Sequence, residues 1–130
     1  MKKVFALMFC AVALAGSIGC SHVAATNRLN NMRFQDAPRN EVFHINSQIY
    51  GVYLFGVLPI FSGSANAADK TSVFTDTVRL DYATLLATAA ARELQATRLK
   101  DINSRIDSHM IFPFFFLSYK SVEVNVTAVK

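Results

Sequence analysis

Between Tyr119 and Val129 the chain alternates without interruption. Val122, Val124, Val126 and Ala128 point one way, and Glu123, Asn125 and Thr127 the other. A period of two marks a strand with one dry face and one wet face, and the β-branched residues on its apolar side suit a pleated surface. Such a strand is not stable alone. It needs neighbours along its edges and an apolar layer over one face only, so the rest of the sequence has to supply both.

Residues 82–94 offer the layer. Tyr82, Leu85, Leu86, Ala89, Ala90 and Leu94 recur at spacings of three and four, and at 100° per residue they fall within an arc of about 180°. Asp81 stands where a helix N-cap would accept orphan backbone N–H groups. Leu99 and Ile102 lie outside the arc. The helix is therefore expected to stop near Gln95, with residues 96–102 forming a strand; the alternative is a helix running on to Asn103. Alanines at 87 and 89–91 let the helix lie close to a sheet.

The neighbouring strands are sought upstream. In residues 41–61, Phe43, Ile45, Ile49, Tyr53 and Phe55 share one face at period two, which predicts one or two strands ending near Gly56 or Pro59. The most apolar part, residues 49–61, is too short for a membrane span and holds two glycines and a proline. Gly51 and Gly56 read as a bulge or a close backbone approach. Residues 62–71 are small and polar and predict a loop. Residues 72–80 predict a further strand, with Val73, Phe74, Val78 and Leu80 apolar. Residues 103–109 predict a polar connection, and residues 21–40 a polar spacer broken at Pro38, unless Leu29, Met32 and Phe34 dock on the domain. Together these segments predict an α+β fold, a two-layer sandwich of mainly antiparallel sheet with one principal helix.

The amino terminus has a different character. Lys2 and Lys3 precede residues 4–15 (VFALMFCAVALA), which carry no charge or proline, and small residues follow up to Cys20. That order is the pattern of a secretory signal, and the apolar run is shorter than the ~20 residues of a spanning helix. The motif Ser17-Ile18-Gly19-Cys20 resembles the lipobox of bacterial lipoproteins, with Ser17 where leucine is usual. The resemblance implies cleavage before Cys20, diacylglycerol on its sulfur and acylation of the new amino terminus. The domain boundaries expected are thus 1–19 for the signal peptide, 20–40 for the lipidated spacer and 41–130 for a single α+β domain. Ser21, in a position where aspartate retains such proteins in the inner membrane, implies the outer membrane, facing the periplasm. The runs IYGVYLFGVLPIFSGS, AARELQATRLKDI and YKSVEVNVTAVK also resemble small lipoproteins of Gram-negative bacteria with no assigned activity.

Charge and cysteine narrow the chemistry. Thirteen basic residues, less Lys2 and Lys3, stand against nine acidic ones, leaving +2 after cleavage, with the bases scattered. No clustered footprint for nucleic acid is visible. Cys10 leaves with the signal, so no internal disulfide is possible in the mature chain. His22, His44 and His109 lack metal-ligand spacing. Asp101 and Asp107 interleave with Arg98, Lys100 and Arg105 as a solvated surface does, and Arg92 and Glu93 occupy the exposed side of the helix. No Gly-Lys-Ser/Thr follows the glycines. No catalytic residue, metal ligand or cofactor site is assigned.

One segment stands out. Ile111-Phe112-Pro113-Phe114-Phe115-Phe116-Leu117 is apolar on both faces and interrupted by proline. Either the domain covers it on both sides, or Phe112, Phe114, Phe115 and Phe116 form an interaction surface for a partner or lipid. The leading functional expectation is a non-enzymatic envelope lipoprotein, bound to the membrane through Cys20 and acting by protein or envelope contacts. Two rivals remain. A cavity lined by Phe112, Phe114 and Tyr53 would favour a carrier of an apolar ligand. A cleft joining His44 or His109 to a carboxylate would favour a small periplasmic hydrolase.

Overall fold

A computed structural model of the chain describes residues 21–30, 32–33, 35–37, 40–64 and 71–130. The signal segment and Cys20 lie outside the described residues. The elements run β1 (Ser21–Thr26), β2 (Arg28–Leu29), β3 (Met32–Arg33), β4 (Gln35–Ala37), β5 (Asn40–Leu54), β6 (Leu58–Gly63), β7 (Thr71–Val73), α1 (Leu80–Glu93), β8 (Arg98–Ile111) and β9 (Phe114–Val129).

The alternating terminal segment lies inside the sheet, as its pattern requires. β5 and β9 pair antiparallel from Val42↔Val129 to Leu54↔Leu117. β8 takes the far edge of β9. The other edge of β5 is shared: β1 pairs with residues 44–49 and β6 with residues 51–54, with β7 beyond β6. All these pairings are antiparallel, and α1 packs on the β5 and β9 face. The result is the expected antiparallel sheet with one helix across it.

Register decides which side chains meet the helix. Ile45↔Val126, Ser47↔Val124 and Ile49↔Val122 share a face, and with Ala128 the apolar members bury against Ala83, Leu86, Ala87 and Ala91 of α1. Each buried Val, Ile or Leu contributes roughly 1.5–3 kcal/mol. Ser47 is the polar member of the row; its hydroxyl donates to the Ala83 carbonyl at 2.9 Å, which satisfies a group that would be costly to bury alone. Gly51 shows why no side chain is tolerated farther along the row. A Cβ there would stand 2.7 Å from the Phe61 oxygen and 2.9 Å from Val78 Cγ2. On the opposite face Asn46 donates to both Glu123 and Asn125, and Asn125 donates to Glu123 at 3.1 Å. This polar triad sits at the wet side of the pleat.

Several expectations are corrected. The helix is rotated: Leu85 and Ala89 are exposed, while Ala83, Ala87 and Ala91 are buried with Leu86. The buried arc is displaced by roughly 80° from the expected one, at 100° per residue. Small residues face the sheet because they allow close approach, and that outweighs burying one more leucine. The N-cap is Arg79, without a side-chain hydrogen bond at the cap. Asp81 lies in the first turn instead, its Oδ1 3.3 Å from Arg79 Nε, where an acid suits the helix dipole. Residues 103–109 are not a connection but the middle of β8. Their polarity reflects an edge strand exposed along most of its length. Of residues 72–80, only the start belongs to a strand, β7. Of residues 62–71, expected as a loop, Ser62 and Gly63 end β6 and Thr71 begins β7, while residues 65–70 lie outside the described residues.

Residues 21–26, expected as a spacer, are strand β1. Ser21↔Ile49, Val23↔Ser47 and Ala25↔Ile45 place alternate residues on the helix face, and Val23 packs against the core. The small size of these residues hid the period. Among the described residues, no helix is long and apolar enough to cross a membrane.

Candidate functional site

Strand direction brings two turns to one end of the sheet. β5 ends at Leu54 beside Leu117 of β9, so the β5–β6 turn and the β8–β9 turn emerge together. Phe55 N–H donates to the Phe116 carbonyl at 2.6 Å and ties one turn to the other. Ile111 pairs with Phe114 across the β8–β9 turn, which Phe112 and Pro113 close through a cis peptide bond.

The aromatic residues of this end are outside the core. Phe112 is 82% exposed and Phe115 70%, while Phe114 and Phe116 are 45% and 42% exposed. Neither cover expected for a two-faced apolar strand is present within the described domain. The rings instead pack on each other edge to face, Phe112 with Phe115 at 5.8 Å and Phe114 with Phe116 at 5.7 Å between centroids. The four residues named from the sequence thus lie exposed at the β8–β9 turn and the start of β9 as two ring pairs. Met110, Val57 and Leu58 are also exposed at this end.

Two further phenylalanines join this end, and sequence reasoning missed both. The period of two puts Phe55 on the core face of its strand. It lies instead in the turn, exposed, with φ of 51°. Phe74, expected within a strand, follows β7 with φ of 57° and is also exposed. Its N–H donates to Ile60 O at 3.4 Å. A bulky side chain in the left-handed region costs about 1–3 kcal/mol, and here burial does not repay it. For Phe55 the signal available in the sequence was charge, not hydropathy. Residues 50–64 and 108–119 contain no Asp, Glu, Lys or Arg, and these are the two stretches that the topology unites.

Behind the aromatic end lies a polar level. An open cleft of about 450 Å³ is lined by Phe55, Met110 and Phe115 on its apolar side and by His109, Ser118 and Lys120 on its polar side. Lys120 Nζ sits 4.5 Å from the centroid of the Tyr53 ring, a cation–π distance. Tyr53 itself is buried and donates to Asp76 Oδ1 at 2.5 Å. Burial, then the hydrogen bond and the charge of Asp76, push its phenol well above the ordinary tyrosine range. Ser118 Oγ is buried and finds no hydrogen-bond partner among the described residues. On the other face Tyr50 and Tyr119 pack at 5.7 Å between ring centroids.

The histidines stay apart. His22 on β1 pairs with Gln48 and His44 with Thr26 and Thr127, while His109 is on β8 opposite Tyr119. Among the described residues, no three of His, Cys, Asp and Glu gather as metal ligands. No carboxylate is among the residues lining the His109 cleft. Phe112 and Phe114 are exposed, whereas Tyr53 is buried in the core row. Compared with known proteins, the chain matches no family model, no curated protein and no solved structure.

Proposed function

We propose that this chain is a lipid-anchored protein of the bacterial envelope that acts by contact and not by catalysis. Acyl chains on Cys20 hold it at the outer membrane on the periplasmic side, and its aromatic end is the contacting surface. The observation that carries this reading is the exposed, charge-free cluster around Phe112, Phe115 and Phe55. A monomeric soluble domain rarely leaves a contiguous apolar patch open unless it meets something. The lipobox-like motif before Ser21 supplies the anchor, since two or three acyl chains hold a protein stably where one does not.

Metabolic labelling with a fatty-acid analogue tests the anchor. The wild type should be labelled and Cys20→Ser should not; equal labelling of both ends the anchor reading. A photo-crosslinking residue at Phe112 tests the contact in intact cells. It should give more envelope adducts than the same residue at Ile102, which is exposed toward the opposite end of β8. Equal yields at the two positions would remove the aromatic end from the function.

A further inference from the structure

We infer that the occupant of the aromatic end is the lipid bilayer itself, the one that holds the anchor. The inference rests on the lipid-anchor reading for the position of that bilayer. Its structural argument is the lack of slack: β1 starts at Ser21, so no linker residue separates Cys20 from a strand paired into the sheet. A domain joined in this way lies against the membrane surface.

The direction of β1 determines which part faces the lipid. β1 is antiparallel to β5, with Ser21 opposite Ile49 and Thr26 opposite His44. Ser21 is thus the end of β1 nearest the Phe55 turn. Five residues of β5 separate Ile49 from Leu54, about 17 Å of strand. Strands lying oblique to the surface bring the start of β1 and the aromatic end to the same bilayer.

The composition of this end is layered as a bilayer is layered. Outermost are Phe112, Phe115 and Phe55, which suit acyl chains. At the Gly51↔Lys120 level come Lys120 and the rings of Tyr119 and Tyr50. An ammonium suits lipid phosphate, and tyrosines collect at the membrane–water boundary. A protein partner would not require the two tip stretches to be free of charge; a hydrocarbon interior does. The apolar face of an interfacial amphipathic helix enters about 5–10 Å into the headgroup and acyl boundary, a depth that the turn residues alone can fill.

The chain has no tryptophan, so one introduced residue reports its own surroundings. Phe115→Trp and Ile102→Trp are prepared in the full chain, purified from membranes of the cells that make it, and mixed with vesicles of phosphatidylethanolamine and phosphatidylglycerol with brominated acyl chains. The Phe115→Trp emission should shift to the blue and be largely quenched, while Ile102→Trp emission should stay water-like. Water-like emission from both would overturn the inference. So would a blue shift of Phe115→Trp without vesicles that grows with protein concentration, because a second copy would then be the occupant. Acylation of Cys20 is measured on the same samples. Acylated Phe115→Trp protein whose emission stays unquenched sinks the insertion and leaves the anchor; quenching without acylation sinks the anchor and leaves the insertion.

Discussion

At the scale of single residues, Tyr53 shows how burial and charge set a measurable property. Its ring completes the core row of β5, and its hydroxyl reaches Asp76. Desolvation is the largest cause of its raised pKa, with the Asp76 hydrogen bond and charge next. A backbone hydrogen bond at Val78 acts in the opposite direction without cancelling that shift. The neutral phenol is the form the fold prefers. Its contribution to stability is therefore complete below the unfolded value of about 10 and is lost as pH rises from there toward the folded value. The urea midpoint of the wild type should fall above pH ~10 more steeply than that of Tyr53→Phe, which has nothing to ionise. Parallel decline of the two proteins would place Tyr53 in a solvent-like site. Asp76 is exposed and outside any recognisable motif, so nothing in the sequence announced this pair; only the fold brings residues 53 and 76 together.

At the scale of elements, legibility followed the number of wet faces. β9 was readable because one face is buried and the other is not, and period two then shows directly in Val122, Val124 and Val126. β8 was half lost: with both faces and an edge largely in solvent, residues 103–109 have no apolar period to display. The helix was found but turned, since leucine outweighs alanine in any apolar projection while contact with a sheet favours the smaller side chain. Leu85 and Leu86 now separate these readings. Leu86→Ala should cost about 2–5 kcal/mol, because Leu86 is in the cluster with Ile49 and Val124. Leu85→Ala, at a site 59% exposed, should stay within about 0.5 kcal/mol. Denaturant unfolding of the two variants checks the rotation. Equal losses would restore the stripe that included both leucines.

At the scale of the whole molecule, the sheet keeps its stability and its contact surface at different places. The core lies under α1 around Ile45, Ile49, Val122 and Val126, whereas the aromatic end lies beyond the helix-covered rows. The phenylalanines of residues 112–116 could be read as a candidate surface because a strand with one buried face needs only alternate apolar residues, and this run exceeds that need. Phe55 and Phe74 could not, because in sequence an aromatic at strand spacing is indistinguishable from a core residue. Their positive φ values mark the difference, since a turn optimised for stability would place glycine or asparagine there. Phe55→Gly removes a Cβ from the left-handed region and gives up a ring that is 72% exposed. The folded state should therefore be unchanged or stabilised by up to ~1 kcal/mol, the relieved strain exceeding the added chain entropy. Phe112→Ser and Phe115→Ser should each shift stability by no more than about 0.5 kcal/mol. All three should nevertheless lower the yield of envelope adducts from a crosslinking residue at Met110, which is also exposed at this end. Urea unfolding and crosslinking on the same set of variants check both halves. Were these substitutions to cost as much as Leu86→Ala, the aromatic end would be part of the core, and its exposure would carry no function.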